Sequence, residues 1–152
     1  MTRLTKASAA FLLLMLAAPA PTVRAAAPVG RYTASGGTVL DTKTKLVWQQ
    51  PPAAAPMAWA AAKSYCAGLG ATLGGSGWRL PTIKELQTLV DVSVATGPTI
   101  DPTYFPNTGM GGFWSSTPST ASTTAAWVLS FNPNAGEGQA GMSGNASVRC
   151  VR

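Results

Sequence analysis

"GWRLPTIKELQTLVD", residues 77–91, carries the densest local instructions in the chain. Thr82 followed three residues later by Glu85 is a capping box, in which the threonine hydroxyl accepts from the Glu85 amide and the carboxylate reaches back to the Thr82 amide. Pro81 pushes Leu80 out of the helical region, so the chain enters from an extended segment. Ile83, Leu86, Leu89 and Val90 then fill one face of a short helix over Thr82 to Asp91. Ahead of it, Gly77–Leu80 reads as a buried extended stretch with Trp78 and Leu80 facing one way and Arg79 the other. An arginine held between such neighbours bonds carbonyls or a carboxylate, which makes Arg79 a structural brace rather than a ligand contact.

Upstream, Thr38–Leu40 and Leu46–Trp48 flank the polar connection Asp41–Lys45 and predict a hairpin with Lys43 and Lys45 at its solvated tip. In "PMAWAAAKSYCAGLG", residues 56–70, Pro56 suits a first helical position and Gly70 a stop. Trp59, Ala62, Cys66 and Leu69 recur at helical steps, so a helix is expected over 57–69 with Cys66 on its buried stripe. Downstream, Asp101 as a cap with Pro102 behind it predicts a single turn that delivers Tyr104 and Phe105 to the core. Residues 113–117, 126–131 and 147–152 read as strands. Residues 132–146 are glycine-rich, lack periodicity and are read as a loop. The fold class is α+β: two short helices packed on small antiparallel sheets with long loops.

The N-terminus has a different grammar. Arg3 and Lys6 precede an apolar run over Ala7–Ala18, and Val23-Arg24-Ala25 or Ala25-Ala26-Ala27 fits a small-residue cleavage rule. The apolar run is too short to cross a bilayer. Residues 1–25 are therefore expected to be a signal peptide, 26–31 a linker and 32–152 the folded domain, secreted or periplasmic, with no membrane span in the mature chain. Without Arg3, Lys6 and Arg24, eight bases remain against five acids, a net charge of +3. Scattered as they are, these bases do not build a nucleic-acid surface. Cys66 and Cys150 make an even count in an exported chain, which invites a bridge, with two buried reduced thiols as the competing reading.

No histidine is present, which removes the commonest general base and the commonest zinc ligand. The acids are Asp41, Glu85, Asp91, Asp101 and Glu137, and no spacing among them implies a catalytic pair. The expectation is no catalytic residue, no cofactor and no metal site. Asp91, Asp101, Asn132 and Asn134 could offer hard oxygens to calcium, but Asn132–Gly136 is more simply a turn. Trp48, Trp59, Trp78 and Trp127 are assigned to the core, while Trp114, beside mobile glycines, is expected to be reachable for stacking. Ligand-binding candidates are thus Trp114, Asn132 and Asn134, on or beside the loops 107–112, 119–124 and 132–146.

Taken in order, "TVLDTKTKLVWQQ", "AWAAAKSYCAGL", "GWRLPTIKELQTLVD", "IDPTYFP", "FWSST", "AWVLSF" and "VRCVR" resemble the Lcl C-terminal domain family, from about Tyr32 to Arg152. The resemblance implies an exported bacterial protein of C-type-lectin-like fold, in which a cysteine on the first helix bridges to one on the last strand. Cys66 and Cys150 stand at those positions. It further implies an association with adhesion and surface-glycan binding, hence a non-catalytic module for glycans or surface ligands. The alternative is a structural or protein-interaction module of the bacterial envelope.

Overall fold

The computed structural model describes residues 27–94 and 96–152; the leader expected over residues 1–25 lies outside them. The first sheet is antiparallel in the order β1 (Tyr32–Ser35), β2 (Thr38–Asp41), β3 (Val47–Gln49). The β2–β3 hairpin is the expected one. Asp41 is buried, and its Oδ1 accepts the amides of Lys43 (2.9 Å) and Thr44 (3.3 Å), which shapes the lysine-bearing tip. Strand β1 adds to the expected hairpin. It is joined to β2 through Gly36 and Gly37, at φ +55° and +80°, a left-handed pair that closes a two-residue hairpin without Cβ strain.

Helix α1 spans Trp59–Gly68 and starts two residues later than expected, because Met57–Ala58 is spent as strand β4 against β8 (Asn145–Ala146). Pro56 is therefore not helical. Its cap, Ala58, makes no side-chain bond. Gly70 is not a stop but the start of a further turn, α2 (Gly70–Leu73), and a Cβ there would lie 2.5 Å from the Gly75 carbonyl oxygen. The helical run ends at Gly74, at φ +70°. Helix α3 covers Ile83–Gln87, with both arms of the capping box formed. It is shorter than expected: after it the Thr88 hydroxyl bonds back to the Glu85 carbonyl, and the Asp91 amide leaves for the Thr99 carbonyl at 2.8 Å.

The third sheet runs β5 (Gly112–Pro118), β6 (Ala125–Ser130), β7 (Glu137–Gly141), all antiparallel. Strands β7 and β8 fall inside residues 132–146, read from sequence as a loop. Their small side chains give no alternation to read, and the backbone ladder with β6 holds β7 in place.

Two buried clusters form the interior. One gathers Trp48, Ile83, Leu86, Phe105, Phe113, Phe131 and Val151; the other gathers Ala62, Cys66, Trp78, Leu80, Trp114, Val148 and Cys150. The closing segment runs between them. Val148 and Cys150 face the second cluster while Val151 faces the first, and Arg149 lies over the Phe105 and Phe113 rings of the first. This is the alternation of an extended strand buried on both faces. Backbone bonds tie it to β3 on one side (Gln49 N to Cys150 O, 2.9 Å) and to the Arg79 segment on another (Arg79 N to Val151 O, 2.9 Å). Cys66 and Cys150 are joined in a disulfide, with S–S 1.98 Å and Cα–Cα 5.5 Å across a sequence separation of 84 residues. The two-thiol alternative is thereby set aside.

Candidate functional site

Trp114 corrects the expectation of a reachable stacking surface. It is fully buried, and its indole N–H donates to the Met57 carbonyl at 2.8 Å. The cause lies in β5, which, like the closing segment, separates the two clusters: Phe113 enters one and Trp114 the other. Neighbouring glycines say nothing about such two-sided burial. Trp48 and Trp78 are buried as expected, whereas Trp59 and Trp127 are only half-buried. The Trp59 ring has Lys63 Nζ 4.6 Å from its centroid and donates its N–H to the Ser115 carbonyl.

Asn132 and Asn134 form a turn of their own. The Asn132 side-chain oxygen accepts the Asn134 amide at 2.9 Å, and Asn134 is exposed. The three loops are also divided. Residues 107–112 and 132–136 meet at one end of the third sheet, where Ser130 donates its hydroxyl to the Met110 carbonyl and its amide to Gly136. Residues 119–124 lie at the other end, where the Met142 amide reaches the Thr124 carbonyl at 2.8 Å. Trp114, Asn132 and Asn134 therefore do not converge on one surface.

The braces are where they were expected. Arg79 Nη1 and Nη2 grip Glu85 Oε2 and Oε1 at 2.8 and 2.7 Å, a two-point pair. That grip holds the Glu85 carboxyl below its ordinary value, and the Thr82 amide at 2.7 Å acts in the same direction. Asp101 is 3% exposed; its Oδ1 accepts the Thr103 amide at 2.8 Å and caps the turn that sends Phe105 inward.

A concavity of mixed chemistry lies elsewhere, between the start of the described chain and the segment leaving α3. It encloses about 320 Å³ and is lined by Arg31, Tyr32, Leu89, Asp91, Ser93 and Asp101, among others. Arg31 donates through Nη2 to Asp41 Oδ2 at 3.3 Å and to the Thr88 carbonyl, and its guanidinium sits 4.8 Å from the Tyr32 ring centroid. Arg31 Nε is buried with no hydrogen-bond partner. Burial pushes the Tyr32 hydroxyl up to about 12, with the Arg31 charge opposing and the carboxylates of Asp41, Asp101 and Asp91 adding to it. Asp101 Oδ2 accepts the Ala27 amide at 3.0 Å, and Asp91 Oδ1 accepts the Ser93 amide at 3.0 Å. The cleft combines guanidinium, carboxylates, hydroxyl and apolar wall, a set suited to orienting a polyhydroxyl or amide-bearing ligand. Sequence reasoning placed Arg31 in the linker and gave Tyr32 no role. Single residues from distant segments leave no spacing signal, so only the folded chain brings them together.

Arg149 was passed over as well. It is fully buried, donates through Nη2 to the Gln50 carbonyl (3.1 Å) and Thr108 Oγ1 (3.0 Å), and leaves Nε and Nη1 without partners. Its guanidinium stands 5.1 and 5.6 Å from the Phe105 and Phe113 centroids. Burial pulls it down to about 9, so it stays charged at neutral pH.

Among the described residues, no group of three or more His, Cys, Asp or Glu side chains is placed to hold a metal ion, and no helix is long and apolar enough to cross a membrane. The sequence model described as the Lcl C-terminal domain matches residues 37–152. No curated protein matches the chain.

Proposed function

Since the chain belongs to the Lcl C-terminal domain family, with most of its length inside the match, we propose that it is an exported, non-catalytic, lectin-like module that binds a glycan or similar surface ligand in the Arg31–Asp101 cleft. The observation that carries this reading is the cleft's mixed chemistry within about 320 Å³, the lower end of the volumes that hold small ligands. A C-type-lectin-like scaffold is part of the proposal, supported by a first helix stapled to the last extended segment.

The acids support a non-catalytic role. Glu85 is gripped by Arg79, Asp41 shapes a hairpin tip, Asp101 caps a turn, Asp91 bonds Ser93, and Glu137 bonds Gln87. These partners, together with the lack of histidine in the sequence, support the non-catalytic reading: among the described residues the acids are engaged in structural bonds. Export is supported by the disulfide, which persists in oxidising compartments, together with the leader-like N-terminus.

A glycan array probed with the folded protein tests this reading, with Asp91→Asn and Asn134→Ala as paired variants. The expected result is binding to a subset of sugars, weakened about tenfold by Asp91→Asn, a loss of about 1.4 kcal/mol, and unchanged by Asn134→Ala. Failure of the folded protein to retain any sugar would sink it. Trp114→Ala is the wrong control, because removing a fully buried indole damages the fold itself. The second reading, a protein-interaction module, draws support from β7, which pairs with β6 on one side and has exposed residues at Glu137, Gln139 and Gly141.

A further inference from the structure

Among the described residues, most long strand margins are closed by the chain itself. The outer side of β5 is covered by Ser147 (Trp114 N to Ser147 O and Ser147 N to Gly112 O, both 2.9 Å) and by Pro81 (Ser116 N to Pro81 O, 2.7 Å). The outer side of β3 is covered by the closing segment, with Val47 N to Arg152 O at 2.8 Å. Strand β7 is different. The register Val128↔Gly138 and Ala126↔Ala140, extended by Ser130 N to Gly136 O and Met142 N to Thr124 O at 2.8 Å each, assigns the even-numbered residues to the ladder with β6. The backbone groups of Glu137 and Gln139 and the Gly141 N–H then turn outward, away from β6, while the Gly141 carbonyl accepts the Gly144 amide at 2.9 Å. All three residues are exposed.

Natural edge strands are usually blunted by lysine, proline, a bulge or a covering segment. Strand β7, sequence EGQAG, contains no lysine or proline, and its pairing with β6 runs without a register shift. Strand β1, which pairs on one side only among the described residues, is shorter, with four residues ending in the Gly36–Gly37 turn. The chemistry of β7 also favours one partner. When the strand faces itself antiparallel about Gln139, Gln139 meets Gln139 and each Glu137 meets a Gly141, so no carboxylate faces another. Centred on Glu137, the same strand would set two carboxylates opposite each other, an arrangement that is destabilising.

We propose that β7 pairs antiparallel with β7 of a second copy of this chain, with Gln139 on the two-fold axis, joining two three-stranded sheets into one of six strands. Small side chains at Gly138, Ala140 and Gly141 let the two backbones approach; each Gln139 N–H donates to the Gln139 carbonyl of the other copy and each Gly141 N–H to that copy's Glu137 carbonyl. A strand of this length buries little area, so the dimer is weak and concentration-dependent. It presents two Arg31–Asp101 clefts on one body and doubles the contacts available to a multivalent surface. The pairing does not depend on what the cleft holds.

Sedimentation velocity on the folded, disulfide-bonded protein from about 10 μM to about 1 mM tests it. The wild type is expected to shift from monomer towards dimer across that range. Gln139→Lys and Gln139→Glu, each alone, place like charges across the axis and are expected to stay monomeric, whereas their equimolar mixture associates again because lysine then faces glutamate. Thermal melting and far-UV circular dichroism confirm that each variant is folded, and Gln139→Pro removes the outward N–H without touching the ladder to β6. A wild type that stays monomeric throughout overturns the proposal. Association unchanged in both charge variants, or not restored on mixing, overturns it as well by assigning the contact to another surface.

Discussion

Arg149 brings a full charge into the interior, and no carboxylate pairs with it among the described residues. Two ring faces, one carbonyl and one hydroxyl offset part of the desolvation cost. Replacing such a cation by an apolar side chain of similar length is often neutral or stabilising. Arg149→Met is therefore expected to change unfolding free energy by less than about 1 kcal/mol, whereas Arg149→Ala, which leaves a cavity, costs about 3 kcal/mol. Urea denaturation separates the two, and an equal loss in both would show that the charge itself is required. Glu85 makes an opposite case, a carboxylate placed at a helix start by a motif plain in the sequence. Its lowered value means the native state binds fewer protons near pH 4, so its contribution is present above the unfolded value and is lost as pH falls through the folded one. Allowing for solvent screening of a partly exposed pair, Glu85→Gln should cost about 1 kcal/mol at pH 7 and almost nothing near pH 2. Urea midpoints at the two pH values check this. Glu85 was readable from its motif, whereas the burial of Arg149 and of Trp114 was not.

At the scale of elements, the capped helix, the β2–β3 hairpin, and strands β5 and β6 were legible because each has a local code: a capping pair, a polar tip, or a run of β-branched and aromatic residues. Strands β7 and β8 were not. Glycine, alanine and glutamine carry no period, and what makes them strands is a ladder offered by β6 and by Met57–Ala58. The start of α1 was missed for a related reason, since Met57–Ala58 is claimed by a partner nearly ninety residues away. The disulfide joins elements with such distant claims. On the chain-entropy account, closing a loop of this separation contributes about 4 to 5 kcal/mol. The Cys66→Ala/Cys150→Ala pair is expected to lose about that much in urea unfolding, and a loss below about 1 kcal/mol would mean that the strand-and-ladder network alone holds the closing segment.

Across the whole molecule, the closing segment is the shared wall of both cores, so Val148, Cys150 and Val151 complete the interior. Tyr32 reports on that completed state. Its hydroxyl keeps its proton up to about 12 in the folded protein, against about 10 when unfolded. The native state therefore binds the extra proton in that window, and stability falls as pH rises from about 10 to about 12. Tyr32→Phe, which retains the ring but cannot titrate, should flatten this alkaline limb in urea midpoints measured across the window; an unchanged slope would assign the loss to other groups. By itself the sequence determined the α+β class, the capped corner at residues 77–91, the Arg79 brace and the family, because these rest on interactions within a few residues or on an ordered set of motifs. Only the tertiary structure decided that Trp114 is enclosed, that Arg149 is buried, that Arg31, Tyr32, Asp91 and Asp101 share a cleft, and that β7 pairs on one side only among the described residues. Burial on two faces and convergence of distant segments depend on which strands become neighbours, and that choice is made by the packing of the whole chain.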